Sequence, residues 1–153
     1  MKNTFLFLFL LITSATFAQK IKIDTVSIIK PGTEAVILDA SVTDQLEKFT
    51  DQDDAIIYIY RLKSMAGAAV KWLIKVDNVA IGNLKQLEYV VAHLDTKAKS
   101  HYIDFANFQY NFVDFKPNQY YMVMLKGFSH MTGYLNSEAI EEIKSCKITP
   151  PLK

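Results

Sequence analysis

Three histidines, His93, His101 and His130, are the side chains best suited to act as general bases or zinc ligands near neutral pH. No two of them stand two or four residues apart, the spacing at which a strand or a helix presents two ligands on one face. The sequence has no Gly-x-Ser-x-Gly elbow, and its single cysteine, Cys146, lacks a catalytic signature. We therefore predict no catalytic residues, no metal ligands and no cofactor, and we do not expect an enzyme.

Carboxylates are concentrated at residues 50–54, T-D-Q-D-D. A calcium loop that starts at Asp51 needs glycine at its sixth position and a carboxylate at its twelfth, and these positions hold Ile56 and Leu62. The segment is therefore predicted to be a solvated turn before a strand. Since any two of the 16 acidic residues could converge in the folded chain, a small periplasmic hydrolase or a metal-dependent protein is the alternative to a non-catalytic role.

Aromatic residues supply the main basis for a binding hypothesis. They are dense between residues 102 and 121, where packing of a small β domain accounts for most of them. Tyr89, Tyr102 and Tyr120 are candidates for a groove that binds a peptide, a glycan or a partner protein, if they form one exposed patch. Arg61, at the end of an apolar segment, is a further candidate. It is expected either to extend into solvent or to pair with a nearby aspartate.

The elements that position these residues are mainly strands. Residues 55–62 are apolar on both faces and predict a strand covered on both sides. Residues 70–76 alternate, and Asp77-Asn78 favours a two-residue type I′ turn in which Val76 faces Val79 and Ile74 faces Ile81. Gly82 marks a bulge or the strand end. Further strands are predicted over residues 20–29, 87–94, 101–105, 110–115 and 119–125.

Helices are predicted at two places. A short N-terminal helix over residues 41–49 begins at Ser41, and a closing helix over about residues 136–147 has glutamates early and lysines late, as the helix dipole prefers. The rhythm of strands and short polar connections favours a mainly β, single-domain antiparallel sandwich or open barrel over a βαβ fold. We place this β domain at residues 54–149, after a strand and helix extension over residues 19–53.

The first 18 residues have the composition of a secretory signal peptide. Lys2 precedes an apolar run over residues 5–12 that is too short to span a bilayer, and Thr16-Phe17-Ala18 forms a cleavage site. We predict export to the periplasm or the extracellular space after cleavage behind Ala18. The mature chain is then expected to have no transmembrane anchor and no intramolecular disulfide, because Cys146 is its only cysteine.

The charge of the mature chain is balanced. Removal of Lys2 with the signal peptide leaves equal numbers of basic and acidic residues. The composition therefore predicts neither a surface for nucleic acid nor a polybasic patch for membranes.

Three short sequences follow one another in a familiar order. They are I-I-Y-I-Y-R at residues 56–61, V-D-N-V-A-I-G-N-L at residues 76–84, and a proline turn before Q-Y-Y-M-V at residues 119–123. Over residues 54–147 this order resembles a family of small bacterial envelope domains of unknown function, number twenty-eight forty-six, which is similar to modules with a V-D-G-x-x-I-G hairpin. The resemblance implies a compact β domain in the periplasm or at the cell surface and offers no catalytic residues. The expected function is a non-catalytic binding or structural module of the cell envelope, with an envelope protein or a cell-wall glycan as partner.

Overall fold

The computed structural model describes residues 27–29, 38, 43–106, 108–150 and 152. The predicted signal peptide and most of the predicted extension over residues 19–53 lie outside these residues. Of the strand predicted over residues 20–29, Ser27–Ile29 is described and is a strand.

Two five-stranded sheets form the fold. The strands are β1 (Ser27–Ile29), β2 (Asp54–Arg61), β3 (Trp72–Val76), β4 (Val79–Leu84), β5 (Glu88–Asp95), β6 (Ser100–Phe105), β7 (Phe108–Val113), β8 (Tyr120–Lys126), β9 (Ser129–Tyr134) and β10 (Lys147–Ile148). The first sheet has the order β1-β7-β6-β3-β4 and the second β10-β5-β2-β8-β9. Antiparallel pairs predominate, with parallel pairing at β1–β7, β2–β8 and β10–β5. The predicted mainly β, sandwich-like domain is confirmed.

Strand β2 is the centre of the second sheet, and all of its residues are buried. Successive side chains of a strand point to opposite faces. Ala55, Ile57 and Ile59 therefore pack in the core between the sheets, and Ile56, Tyr58 and Tyr60 pack in a second core on the outer face. The prediction of a strand covered on both sides is confirmed.

Helix α1 (Ser137–Lys144) covers that outer face. The side chain of Asn136 caps it by accepting the Ala139 N–H at 2.8 Å. The predicted helix is confirmed, but it ends before residue 147. The N–H of Lys147 instead donates to the carbonyl of Leu87 at 2.8 Å, so the chain leaves the helix to pair with β5.

The hairpin between β3 and β4 has the predicted turn, with φ of 49° at Asp77 and 66° at Asn78. Val76 pairs with Val79 as predicted, but Ile74 pairs with Gly82 instead of Ile81, across a bulge. A Cβ on Gly82 would lie 2.6 Å from Val90 Cγ1 of the second sheet. The bulge therefore places the residue without a side chain where Val90 of the second sheet leaves no room for one.

Two other predictions need correction. The helix predicted over residues 41–49 is helical at Thr43, turns over residues 44–46 and is irregular over residues 47–49, while residues 41 and 42 lie outside the description. The N–H of Glu47 bonds to the Tyr58 hydroxyl at 2.7 Å and its carbonyl accepts from Tyr120 at 2.9 Å, so side chains replace the helical partners. Val70, predicted in a strand, precedes β3 and is exposed.

Candidate functional site

Arg61, the last residue of β2, is fully buried. Its Nη1 donates to the carbonyls of Val70 at 2.5 Å and Leu84 at 3.3 Å, and its Nη2 donates to the carbonyl of Gly67 at 2.6 Å. The guanidinium carbon lies 4.1 Å from the centroid of the Trp72 ring. The expectation that Arg61 extends into solvent is therefore wrong, and no aspartate among the described residues forms an ion pair with it.

The buried guanidinium fixes the loop over residues 62–71. It binds two carbonyls of that loop, those of Gly67 and Val70, and a Cβ on Gly67, where φ is +70°, would lie 3.1 Å from Arg61 Nη2. Burial lowers the pKa of Arg61. The carbonyl oxygens and the face of the Trp72 ring carry partial negative charge, and they stabilise the charged guanidinium. The loop is therefore held by main-chain contacts, and its side chains stay available on the outside.

The register of the second sheet brings several loops to the same end as Arg61. Arg61 pairs with Leu125 of β8 and with Glu88 of β5, so the loop after β2, the turn after β8 and the turn before β5 are neighbours. A Cβ on Gly127 would lie 3.1 Å from the Ser64 hydroxyl, which shows that the β8–β9 turn packs on the loop. We name residues 62–71, 84–88, 126–128 and 147 the Arg61 end.

Large apolar side chains project from the Arg61 end. Met65 is 99% exposed, Phe128 76% and Val70 53%. Met65 and Phe128 belong to adjacent loops, because Ser64 and Ala66 both contact the Gly127 position. A cluster of exposed apolar side chains on one end of a small domain indicates a contact surface.

Lysines surround these apolar side chains. The exposed lysines of the Arg61 end are Lys63, Lys71, Lys85, Lys126 and Lys147. None of them forms an ion pair with a carboxylate in the described part of the chain. Glu88 is the acidic residue at this end, and its carboxylate accepts from the Lys85 N–H at 2.9 Å and the Thr149 hydroxyl at 3.3 Å.

Acidic residues collect at the opposite end, in the turns that precede β2 and β8 and follow β3 and β5. They are Asp51, Asp53, Asp54, Asp77, Asp95 and Asp114, beside Lys97, Lys99 and Lys116. The lysines of the Arg61 end and the aspartates of the opposite end show that a balanced composition does not fix where charges lie in the fold. The sequence signal that was missed is K-S-M-A-G-A-A-V-K at residues 63–71 together with K-G-F at residues 126–128, apolar loops bounded by lysines.

Histidines at the acidic end hold turns in place. Asp54 accepts from the Thr50 N–H at 2.8 Å and the Thr50 hydroxyl at 3.1 Å, and lies 2.6 Å from His93 Nδ1. Burial alone would raise the pKa of Asp54, but hydrogen bonds from Thr50 and His93 bring it below its usual value. The Thr50 hydroxyl donates to Asp54 and not to the His93 imidazole. Thr50, His93 and Asp54 are therefore not arranged as a catalytic triad, in which the hydroxyl donates to the imidazole.

His101 makes a comparable bridge. Its Nδ1 lies 2.6 Å from an Asp77 carboxylate oxygen and its Nε2 lies 3.0 Å from the Asp95 carbonyl oxygen, joining the hairpin turn to the end of β5. Among the described residues, no group of three or more His, Cys, Asp or Glu side chains is arranged to hold a metal ion.

The three candidate tyrosines do not form one patch. Tyr89 and Tyr120 lie on the outer face of the second sheet, where the Tyr120 ring packs 4.6 Å from Phe49. Tyr102 is 38% exposed on the outer face of the first sheet, since its neighbours His101 and Ile103 point inward. The structure thus separates Tyr102 from the other two and uses Tyr120 in packing.

Tyr89 borders a cleft on the outer face of the second sheet. This cleft has a volume of 260 Å³ and is lined by Tyr58, Ile140, Ile143 and Cys146, among others. Cys146 is partly buried and forms no disulfide, and burial raises the pKa of its thiol.

Among the described helices, none is long and apolar enough to cross a membrane.

No protein-family model, no curated protein and no solved structure matches this chain. The resemblance to bacterial envelope domains therefore stays a prediction. A functional assignment has to start from the geometry of the Arg61 end.

Proposed function

We propose that the protein is a non-catalytic binding module of the cell envelope and that it binds its partner through the Arg61 end. The observation that carries this proposal is the exposure of Met65 and Val70 on a loop that a buried arginine holds in place, and of Phe128 on the turn that packs on this loop. Exposed apolar side chains lower the solubility of a domain unless a partner covers them. A module that presents them from fixed loops is suited to binding.

The rigidity of the loop supports this proposal. A loop that orders only upon binding loses conformational entropy at that moment, and its affinity falls accordingly. Here the carbonyls of Gly67 and Val70 are bound by Arg61 in the free protein, and the Gln86 side-chain amide donates to the Ser64 carbonyl. The contact surface is therefore organised before any partner arrives.

The cell-envelope location rests on the sequence. The signal-peptide pattern over residues 1–18 and the resemblance over residues 54–147 both favour an exported bacterial domain. The structure adds a sandwich whose loops carry the exposed residues, the arrangement in which many β domains bind their partners.

The test uses the mature chain, residues 19–153, immobilised and exposed to a bacterial envelope extract that contains both proteins and membranes. The double variant Met65→Ser and Phe128→Ser is compared with Val79→Ser, which removes a side chain that is 65% exposed at the opposite end. We expect one component to be retained by the wild type and by Val79→Ser but lost by the double variant. The proposal is overturned if the wild type retains no component, or if the double variant retains the same component as the wild type. Trp72 fluorescence verifies that each variant is folded.

A further inference from the structure

We infer that the partner of the Arg61 end is the anionic surface of a phospholipid bilayer, into which Met65 and Phe128 insert. This inference rests on the proposed function and names the chemistry of its partner. The supporting observation is that exposed apolar side chains and lysines lie next to one another at this end.

The apolar part has the form of two neighbouring loop tips. Met65 is 99% exposed on the loop after β2, and Phe128 is 76% exposed on the turn after β8, which packs on that loop at Gly127. Side chains that project from adjacent tips can enter the boundary between headgroups and acyl chains together. Peripheral proteins bury apolar surface at that depth, about 5–10 Å into the bilayer.

The basic part lies immediately beside these tips. Lys63 stands two residues before Met65, Lys71 follows Val70, and Lys126 stands two residues before Phe128. Each lysine can extend its methylene groups along the apolar surface and keep its ammonium at the level of the phosphates. Each lysine near an anionic leaflet strengthens binding by about 5-fold.

The distribution of charge over the whole domain orients the molecule. The Arg61 end has exposed lysines with no described carboxylate partner, and the aspartates lie in the turns at the other end. An anionic surface therefore attracts the Arg61 end and repels the opposite end. This field turns the apolar tips towards the bilayer before contact.

A glycan partner fits this end less well. A glycan site needs polar groups that are free to hydrogen-bond, but Arg61 already occupies the carbonyls of Gly67, Val70 and Leu84. The cleft of 260 Å³ beside Tyr89 lies between β5 and α1, away from Met65 and Phe128. Projecting apolar tips bounded by lysines match a bilayer, which is deformable and negatively charged.

The test measures partitioning of the mature chain onto sedimented vesicles. One set of vesicles contains phosphatidylglycerol mixed with phosphatidylcholine, and the other contains phosphatidylcholine alone. We expect binding to the anionic vesicles that weakens at high salt, as screening predicts. The triple variant Lys63→Gln, Lys71→Gln and Lys126→Gln should bind on the order of 100-fold more weakly.

Two sets of variants show whether the position of the lysines matters and whether the apolar side chains contribute to binding. Lys97→Gln, Lys99→Gln and Lys116→Gln remove the same charge at the acidic end and should leave binding unchanged or stronger. Met65→Ser and Phe128→Ser should each weaken binding by on the order of 10-fold, which corresponds to the loss of one buried apolar side chain.

The outcomes distinguish this inference from the proposed function. If neither vesicle binds, or if the two triple variants bind equally, the lipid inference is overturned. If vesicle binding is absent but retention of an envelope protein or glycan still depends on Met65 and Phe128, the binding module stands with a different partner. If retention does not depend on these two residues, both proposals fall.

Discussion

At the scale of single residues, the structure depends on a buried cation that has no carboxylate partner among the described residues. Moving a guanidinium out of water costs several kcal/mol. Three main-chain carbonyls and the face of Trp72 compensate Arg61, while its Nε atom has no hydrogen-bond partner. A hydrogen bond from a charged donor contributes about 1.5–3 kcal/mol net to stability, so the three bonds account for a guanidinium that stays buried.

Replacement of Arg61 by methionine should destabilise the domain by about 3 kcal/mol or more, because the buried carbonyl of Leu84 and the partly buried carbonyls of Gly67 and Val70 lose their donor. Arg61→Lys should recover only part of this loss, since an ammonium cannot match the planar fork of the guanidinium. Urea unfolding followed by Trp72 fluorescence measures the difference. Lys63→Met, an exposed neighbour, is the control, and an Arg61→Met variant as stable as this control would contradict the role assigned to Arg61.

The role of Arg61 was not predictable from its neighbours in the sequence. Its position at the end of an apolar strand is visible, but its acceptors come from residues 67, 70 and 84, which only the assembled sheets bring together. Tyr89 and Tyr102 show the same limit. Their spacing in the sequence does not reveal that they lie on the outer faces of different sheets.

At the scale of elements, local chemistry decided the turns and long-range packing decided the registers. Asp77 and Asn78 have positive φ because the two-residue turn requires it, and this was predictable. Gly82 indicated a bulge or a strand end, and the structure has a bulge there. The resulting register, with Ile74 opposite Gly82, brings Gly82 against Val90 of another sheet, and no feature of residues 70–84 contains that information. The edge strand β9 was also missed, because half of its residues are exposed and its sequence does not alternate between apolar and polar residues.

Gly82 and Val90 should therefore be energetically coupled. Gly82→Ala places a Cβ 2.6 Å from Val90 Cγ1 and should destabilise the domain by about 1–3 kcal/mol through overpacking. In the double variant with Val90→Ala, the new methyl group occupies vacated space, so the total loss should be smaller than the sum of the two single losses. Gly133→Ala is the control, because a Cβ there meets nothing within 4 Å. Strict additivity in a double-mutant cycle would contradict the close approach of the sheets.

At the scale of the whole molecule, β2 contributes to both hydrophobic cores. Its odd-numbered apolar residues face the core between the sheets, and its even-numbered residues face α1. Tyr60 further ties α1 to the sheet through a 2.6 Å hydrogen bond to Glu142, and burial raises the pKa of this tyrosine. One strand thus serves as a wall of each core.

We therefore expect both cores to unfold in one transition. The fluorescence of Trp72, which reports the core between the sheets, and the amide exchange of α1, which reports the outer core, should give the same free energy of unfolding. Ile57→Ala and Ile56→Ala point to different cores and should each lower both readings equally. Loss of α1 protection while Trp72 stays native would show that the outer core opens independently.

The mainly β class and the closing helix were predictable, because strand alternation and helix capping are local patterns. The separation of charge was not. Basic and acidic residues are balanced in composition, and lysines and aspartates reach opposite ends only because of the direction in which each strand crosses the sandwich.

Strand β2 cannot acquire both of its neighbours until most of the chain has been synthesised. Ile56 pairs with His93 on one side and with Tyr120 on the other. Pairings so distant along the chain must close large loops before any contact forms, and such topologies fold in roughly milliseconds to seconds instead of microseconds. The central sheet therefore cannot be complete before residues 120–126 have been synthesised, and β2 leaves the ribosome without its parallel neighbour β8.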